Sequence, residues 1–236
     1  MNVQRDVVLA PLTTIRLGGE AAHFVECGDV DDIREALAYA EGHNLAIHIL
    51  GGGSNTIFHD QGFAGLVLAI RLSGVSFREE GEHVLVDVAA GEDWDDLVRA
   101  CIERGLGGIE CMSGVPGLVG ATPIQNVGAY GQEVADTITQ VTVFNRQTKE
   151  TEILSVEECQ LGYRTSRFKE SDAGTYIVLE VQFRLLKDAS PCVDYEQVQQ
   201  AAQRKFGTVD FGKGKKALQI VRELVLDLRR MKSMVV

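Results

Sequence analysis

The sequence predicts an α+β protein built from two α/β subdomains, followed by a helical C-terminal segment. Three observations support this fold class. A strand, helix, strand pattern fills residues 14–72, strand patterns dominate residues 74–190, and two glycine-rich stretches interrupt them. We predict boundaries at 1–73, 74–190 and 191–236, which suits a length of 236 residues.

The composition excludes several classes of protein. Hydrophobic residues make up 45% of the chain and charged residues 24%, as in ordinary soluble domains. A net charge of −11 and an aromatic content of 6% argue against a nucleic-acid-binding surface. The sequence contains no apolar run long enough to span a membrane and no signal-peptide core, so no membrane association and a cytoplasmic location are predicted.

Cysteine and histidine spacing predicts neither a disulfide framework nor a metal site. Five cysteines occur without any C-x-x-C pair, and the five histidines are scattered. Most of the cysteines are expected to be small buried hydrophobes. They are Cys27, Cys101, Cys111, Cys159 and Cys192.

The first subdomain contains a helix between strands. The spacing predicts a helix over 29–44, capped by Asp29 and ended by Gly42 with Asn44. Strands are predicted at 46–50 and 65–70.

The second subdomain is rich in strands. They are predicted at 84–90, 140–146, 150–154 and 176–186. The last alternates, so one face of it is predicted to carry Ile177, Leu179, Val181, Phe183 and Leu185. A helix over 92–105 carries an apolar stripe and ends before Gly105. Ser155 and Glu158 form a capping box for a short helix.

The C-terminal segment is predicted to be helical over 194–206 and 214–231. Leu218, Val221, Val225 and Leu228 share one face of the second helix. The final Val235-Val236 pair is predicted to begin a strand.

The first glycine-rich loop follows the predicted strand 46–50 and comprises Gly51, Gly52, Gly53, Ser54 and Asn55. Successive backbone N–H groups in such a loop can bind an anion such as a phosphate. The alternative is a tight turn without a ligand. The loop is not a Rossmann fingerprint, because Thr56 stands where the third glycine should be.

The second glycine-rich stretch spans 113–131 and contains two of the four prolines. It is too apolar for a linker and too rich in Gly and Pro for a regular element. Gln125 and Asn126 offer amide groups that can read the edge of a heterocycle. A purely structural loop is the alternative.

These two loops, together with Tyr163–Lys169 and the opening Thr13–Gly19, resemble the UDP-N-acetylenolpyruvoylglucosamine reductase family in order along the chain. Thr13 replaces the family's usual Asn. The resemblance implies the FAD-binding fold of the vanillyl-alcohol-oxidase-like superfamily, with FAD bound between two α/β subdomains and not on a Rossmann fold. It also implies NADPH as reductant, a small-molecule UDP-sugar as substrate and a role in peptidoglycan precursor synthesis.

The resemblance implies roles for individual residues. Arg164 matches the catalytic arginine, and Tyr163, Tyr195 and Lys232 match substrate-binding residues. The residues implied in FAD binding are Gly51, Gly52, Gly53, Ser54, Asn55, Ser113, Pro116, Gly117, Gly120, Ala121, Gln125, Asn126, Gly128, Ala129 and Tyr130.

The family's later Ser-Ala-Gly-Ser-Phe-Phe segment, which carries the proton-donating serine, does not occur in this sequence. We therefore expect an FAD-binding portion that ends with the start of the connection to the substrate domain. A fragment of a longer protein and a specialised short protein that works with this domain in trans both stay open. Two alternatives stay open: a flavin-binding module without reductase activity, and an FAD oxidase of the same fold acting on another substrate. The Tyr163-Arg164 match disfavours the oxidase.

Overall fold

The fold is given by a computed structural model that describes residues 1–234. The predicted start of a strand at Val235-Val236 lies outside the described residues. The chain forms two main sheets, and five helices are described beside them.

The first sheet has four strands in the order β1-β2-β4-β3. Its strands are β1 (Gln4–Val8), β2 (Glu20–Cys27), β3 (Ile47–Leu50) and β4 (Phe63–Ile70). The pair β1 and β2 is antiparallel, whereas β2 and β3 both run parallel to β4. The carboxyl ends of three parallel strands therefore meet at one edge of this sheet.

Helix α1 (Val30–Gly42) crosses from β2 to β3. Asp29 caps its first turn by accepting a hydrogen bond from the Asp32 amide, as predicted. Its apolar stripe, which includes Ile33 and Leu37, is buried against the core. The predicted strands at 46–50 and 65–70 correspond to β3 and β4.

The second sheet is antiparallel, in the order β11-β10-β12-β6-β5, with a short strand beside β12. Its strands are β5 (Val75–Glu80), β6 (His83–Ala89), β7 (Leu106–Gly107), β10 (Ile138–Asn145), β11 (Thr151–Ser155) and β12 (Tyr176–Lys187). A separate hairpin pairs β8 (Gly128–Ala129) with β9 (Gln132–Glu133).

Strand β12 lies at the centre of the second sheet, where the alternating pattern predicted it. The residues predicted to share its buried face are all buried, and β12 pairs with both β6 and β10. They are Ile177, Leu179, Val181, Phe183 and Leu185.

Four helices accompany the second sheet: α2 (Trp94–Glu103), α3 (Val156–Cys159), α4 (Glu196–Phe206) and α5 (Gly214–Met231). The predicted stripe of α2 is buried, and its Trp94 indole donates to the Met112 carbonyl at 3.1 Å. The predicted capping box of α3 is formed by both of its hydrogen bonds. The apolar face of α5 packs with α4 against the segment that follows α2.

One apolar core joins the two sheets. It includes Ile33 of α1 and Leu66 of β4 as well as Val86 of β6 and Val181 of β12. The loop after β3, at the carboxyl edge of the first sheet, lies close to the segment after α2 in the second part of the chain.

The sequence analysis missed β1, β2 and β5 as well as the two-residue strands β7, β8 and β9. Strand β1 is mostly exposed and polar, and β5 ends in three charged residues, Arg78, Glu79 and Glu80. Such edge strands lack the alternating pattern. In β2, Val25 and Cys27 are buried on one face and Phe24 on the other, so both faces are covered and the alternation disappears.

Candidate functional site

A cleft of about 820 Å³ lies between the two sheets. Its walls come from the loop after β3, the glycine-rich segment after α2, the start of β12 and the end of α5. The first sheet, the second sheet and the C-terminal helix thus all contribute to one site.

The loop 51–55 follows β3 at the carboxyl edge of the first sheet. Gly53 has a φ of +67°, which favours glycine, and a Cβ at that position would collide with the Leu12 carbonyl. A Cβ at Gly52 would approach the Gly117 Cα at 3.1 Å. The chain therefore needs small residues here because two backbone segments approach each other closely.

Side chains of the first loop bind the second glycine-rich segment. The Ser54 hydroxyl donates to the Pro116 carbonyl at 3.1 Å, and the Asn55 amide donates to the Gln125 side-chain oxygen at 3.2 Å. Both contacts cross more than 60 residues of sequence. They place the two predicted loops on the same wall of the cleft.

The second segment is itself bound to the start of α2. The Gly117 carbonyl accepts from the Trp94 amide at 3.1 Å, and the Gly120 amide donates to the Ala90 carbonyl at 2.9 Å. A Cβ at Gly120 would lie 2.5 Å from the Ala90 Cβ. These contacts explain the glycines by close packing.

Most of the predicted site residues line the cleft. They are Gly51, Gly52, Gly53, Ser54, Asn55, Pro116, Gly120, Ala121, Gln125, Gly128, Ala129, Tyr130, Arg164, Tyr195 and Lys232. Their position in the lining agrees with the predicted site, and their individual roles stay predictions.

Four predicted site residues do not line the cleft. Ser113 is buried and donates to the Glu110 carbonyl at 2.6 Å, while Gly117 packs beneath Ser54. Asn126 is buried, and its amide donates to the Glu133 carboxylate at 2.7 Å. The Tyr163 side chain is 85% exposed. The first three support the second glycine-rich stretch from behind, because their polar groups bind Glu110, Trp94 and Glu133 outside it.

Arg164 lies at the rim of the cleft in a left-handed conformation, with a φ of +56°. Its guanidinium donates to the Gly128 carbonyl at 3.2 Å, and its own carbonyl accepts from Lys169 at 3.0 Å. Non-glycine residues in this conformation cost about 1 kcal/mol and cluster at functional sites.

Tyr130, Tyr195 and Lys232 meet at one corner of the cleft. The two tyrosine rings pack edge to face with centroids 5.5 Å apart, and the Lys232 ammonium lies 5.4 Å from the Tyr130 ring centroid. Lys232 also donates to the Gln197 side chain at 2.6 Å. Three chain segments are thereby joined beside the site.

Arg229 is a cleft residue that the sequence analysis missed. It is buried on α5, and its guanidinium donates to the Gly114 carbonyl at 3.1 Å and to the Met234 carbonyl at 3.4 Å. Burial lowers its pKa. Its position four residues after Val225, on the apolar stripe of α5, is the signal that could have identified it.

The neighbouring Tyr130 hydroxyl is buried with no hydrogen-bond partner among the described residues. Burial raises the pKa of this tyrosine, so the hydroxyl stays protonated at neutral pH. Buried polar groups normally have partners, and an unpaired hydroxyl lining a cleft indicates a place for a polar ligand atom.

The charge of the cleft is positive. Its lining includes Arg164, Lys169, Arg229 and Lys232, and no aspartate or glutamate of residues 1–234 belongs to it. The chain as a whole carries a net charge of −11, so this concentration of cations is local. The cleft suits a ligand with anionic groups.

Within the described residues, no helix has the length and apolar character needed to cross a bilayer. Nor do residues 1–234 bring three His, Cys, Asp or Glu side chains into a group that could hold a metal ion.

Comparison with known proteins gives the following similarities. Residues 21–153 match the sequence profile of a family described as FAD binding domain. A UDP-N-acetylenolpyruvoylglucosamine reductase of Thermobifida fusca is 41% identical over 233 residues, covering 98% of this chain and 63% of the relative. The chain therefore spans somewhat less than two thirds of that relative's length.

Solved structures show the same fold. The UDP-N-acetylenolpyruvylglucosamine reductase of Thermus caldophilus is 25% identical with a TM-score of 0.70, covering 98% of this chain and 70% of that chain. A VAO-type flavoprotein of Myceliophthora thermophila is 19% identical with a TM-score of 0.52, covering 72% of this chain and 32% of that chain. The predicted fold class, with two α/β parts and no Rossmann fold, is thus confirmed.

Proposed function

This chain belongs to the FAD-binding domain family, and from that premise we propose that its cleft holds FAD for the NADPH-dependent reduction of UDP-N-acetylenolpyruvoylglucosamine. The observation that carries the proposal is the junction of the two glycine loops beside a positively charged cleft. The reductase relatives support the substrate class. A UDP-linked sugar also agrees with the cytoplasmic location expected from the sequence.

The residues present fit FAD. A diphosphate needs backbone N–H groups and cations, and the loop 51–55 and the cations of the lining provide them. A ring system needs an apolar wall with a few polar atoms, and Gln125 and the unpaired Tyr130 hydroxyl supply these beside Ile177 and Val178. A volume of about 820 Å³ is in the range of pockets for such ligands.

FAD, when bound, supplies the hydride chemistry, and the protein supplies binding, orientation and electrostatics. We propose that Arg164 binds the carboxylate of the enolpyruvyl group and stabilises the negative charge that develops on it during reduction. Tyr195 and Lys232 would hold the diphosphate of the UDP-sugar, because they lie together at one corner of the cleft. Tyr163 stays a proposed substrate contact on the basis of the resemblance alone.

A second candidate function is flavin binding without reductase activity. It is supported by the family match over residues 21–153, whose description names FAD binding alone. In that case a C-terminal domain acting in trans would supply the proton donor and much of the substrate positioning.

The test is the visible spectrum of the purified protein, followed by anaerobic addition of NADPH and then of UDP-N-acetylenolpyruvoylglucosamine. We expect a yellow protein that releases FAD on denaturation, bleaches with NADPH and regains colour with the substrate. Bleaching without recovery would support the second candidate. A colourless protein that takes up no added FAD would contradict both.

A further inference from the structure

Two cysteines that are far apart in sequence meet beside the cleft. Cys111 lies in the buried turn Glu110–Met112, and Cys192 lies in the segment between β12 and α4. The Cys111 thiol donates to the Cys192 carbonyl at 3.2 Å. The sequence analysis expected most of the five cysteines to be small buried hydrophobes and did not single out this pair.

A hydrogen-bonded frame fixes the two cysteines relative to each other. The buried Glu110 carboxylate accepts from the Cys192 amide at 2.8 Å and from the Gln132 side chain at 2.9 Å. The Gln132 side-chain oxygen in turn accepts from the Cys111 amide at 2.8 Å. Glu110 and Gln132 thereby link the two backbones, which holds the Cys111 thiol beside the Cys192 carbonyl.

Cys192 is the one cysteine of the five whose pKa is lowered, whereas hydrogen bonding with Cys192 and burial raise the pKa of its partner Cys111. Contact with Cys111 lowers the pKa of Cys192 to about 7, and Cys192 is half-buried. Burial raises the pKa of Cys27 and Cys101 to about 12 and that of Cys159 to about 11. The thiolate is the nucleophilic form, so Cys192 is the reactive cysteine.

We infer that Cys111 and Cys192 form a dithiol site that a hydroperoxide oxidises to an intramolecular disulfide. The Cys192 thiolate attacks one peroxide oxygen, the O–O bond breaks, and Cys192 becomes a sulfenic acid while hydroxide, or the corresponding alkoxide, leaves. The Cys111 sulfur then attacks the Cys192 sulfur, forming the S–S bond and releasing water. The two thiols lose two electrons, and the peroxide gains them.

The Cys111–Cys192 disulfide would connect the wall of the cleft to the segment that carries Tyr195. Tyr195 is three residues beyond Cys192, and a Cβ at Gly131 would lie 3.7 Å from the Tyr195 Cβ and 4.0 Å from the Cys192 sulfur. Oxidation therefore ties the Tyr195 segment to the turn behind the second glycine loop. The chemistry of the pair does not depend on the proposed function.

The experiment treats the reduced protein with hydrogen peroxide, alkylates it in denaturant and measures intact mass and peptide maps. We expect loss of two hydrogen atoms, a fall from five to three free thiols, and one linked peptide pair that contains Cys111 and Cys192. Dithiothreitol should reverse all three changes. The Cys192→Ser variant should show none of these three changes after peroxide treatment. The Cys101→Ser variant, which removes a buried thiol elsewhere, should still form the linked peptide pair.

A second variant keeps the inference testable if the disulfide is too short-lived to collect. In Cys111→Ala the sulfenic acid has no partner, so dimedone should label Cys192 more strongly than in the unaltered protein. Oxidation of Cys192 to sulfinic acid without a link, a link only between two copies, or equal dimedone labelling in both proteins would overturn the inference.

Discussion

The Ser54 hydroxyl donates a hydrogen bond of 3.1 Å to the Pro116 carbonyl, which joins the two glycine loops of the cleft. Ser54 follows a strand of the first sheet, whereas Pro116 follows a helix of the second part of the chain. The wall of the site is thus formed across the junction of the two parts, and changes on either side of this contact should affect ligand binding.

We expect Gly52→Val to weaken FAD binding far more than it changes secondary structure. A Cβ there would press on Gly117 at 3.1 Å and fill the space between the loops. The matched control is Gly42→Val, because a Cβ at Gly42 meets no atom within 4 Å. FAD affinity is measured by fluorescence quenching and folding by circular dichroism. Equal losses of fold and flavin would instead indicate a structural turn without a ligand.

Arg229→Met should weaken FAD binding by about ten- to a hundredfold, since a hydrogen bond to a charged group is worth about 1.5–3 kcal/mol. The reason is that Arg229 lines the cleft with a buried charge, and in the part of the chain described its guanidinium donates to carbonyls and not to a carboxylate. The control is Arg230→Met, which removes an exposed arginine paired with Asp227. Unchanged FAD affinity in the Arg229 variant would exclude this residue from the flavin site.

Arg164→Gly should separate backbone strain from chemistry. Glycine relieves the left-handed conformation at φ +56°, so the free energy of unfolding should stay the same or rise by up to about 1 kcal/mol. The lost guanidinium should abolish most substrate-dependent reoxidation of the reduced protein without preventing FAD binding.

The control for that variant is Gln160→Gly, which relieves a similar φ of +49° at the end of α3. Gln160 does not line the cleft, so this change should affect stability alone. Substrate-dependent reoxidation that survives Arg164→Gly and is lost in Gln160→Gly would contradict the proposed role of Arg164.

The Asp95–Arg222 ion pair should make stability depend on pH. Two hydrogen bonds of 2.6 Å join the side chains. Burial raises the pKa of Asp95, but the hydrogen bonds from Arg222 and from the Gly114 amide outweigh it, and the pKa lies below its ordinary value. The contribution to stability is therefore fully present above the ordinary pKa of 3.8 and is lost as the pH falls through the lower pKa of the folded state.

We expect Asp95→Asn to reduce the free energy of unfolding at neutral pH by about 1–2 kcal/mol, after discounting for partial exposure. The difference from the unaltered protein should shrink under strongly acidic conditions. Urea unfolding at neutral and at strongly acidic pH measures this difference in the free energy of unfolding, with Asp96→Asn as the exposed control. A difference that is the same at both pH values would show that Asp95 acts through shape and not through its charge.

Much of the fold follows from local patterns. The apolar stripe of α2, which begins at Trp94, and the alternation of β12 are visible in the sequence because each element buries one face. Hydrophobic residues then recur about every 3.6 residues in a helix and every 2 residues in a strand. The caps at Asp29 and Ser155 are also local, since each hydrogen bond spans three residues. Such features can be predicted before any tertiary contact is known.

The sequence by itself thus determined the two glycine loops, the helices, the central strands and the family resemblance, since each rests on residues that are near one another in the chain. Only the tertiary structure decided that Ser113 and Asn126 support the loop from behind, that Arg229 enters the cleft and that Cys111 meets Cys192. The physical reason is distance along the chain. Cys111 and Cys192 are 81 residues apart, and no local pattern reports a contact that arises only when the sheets and α5 pack together.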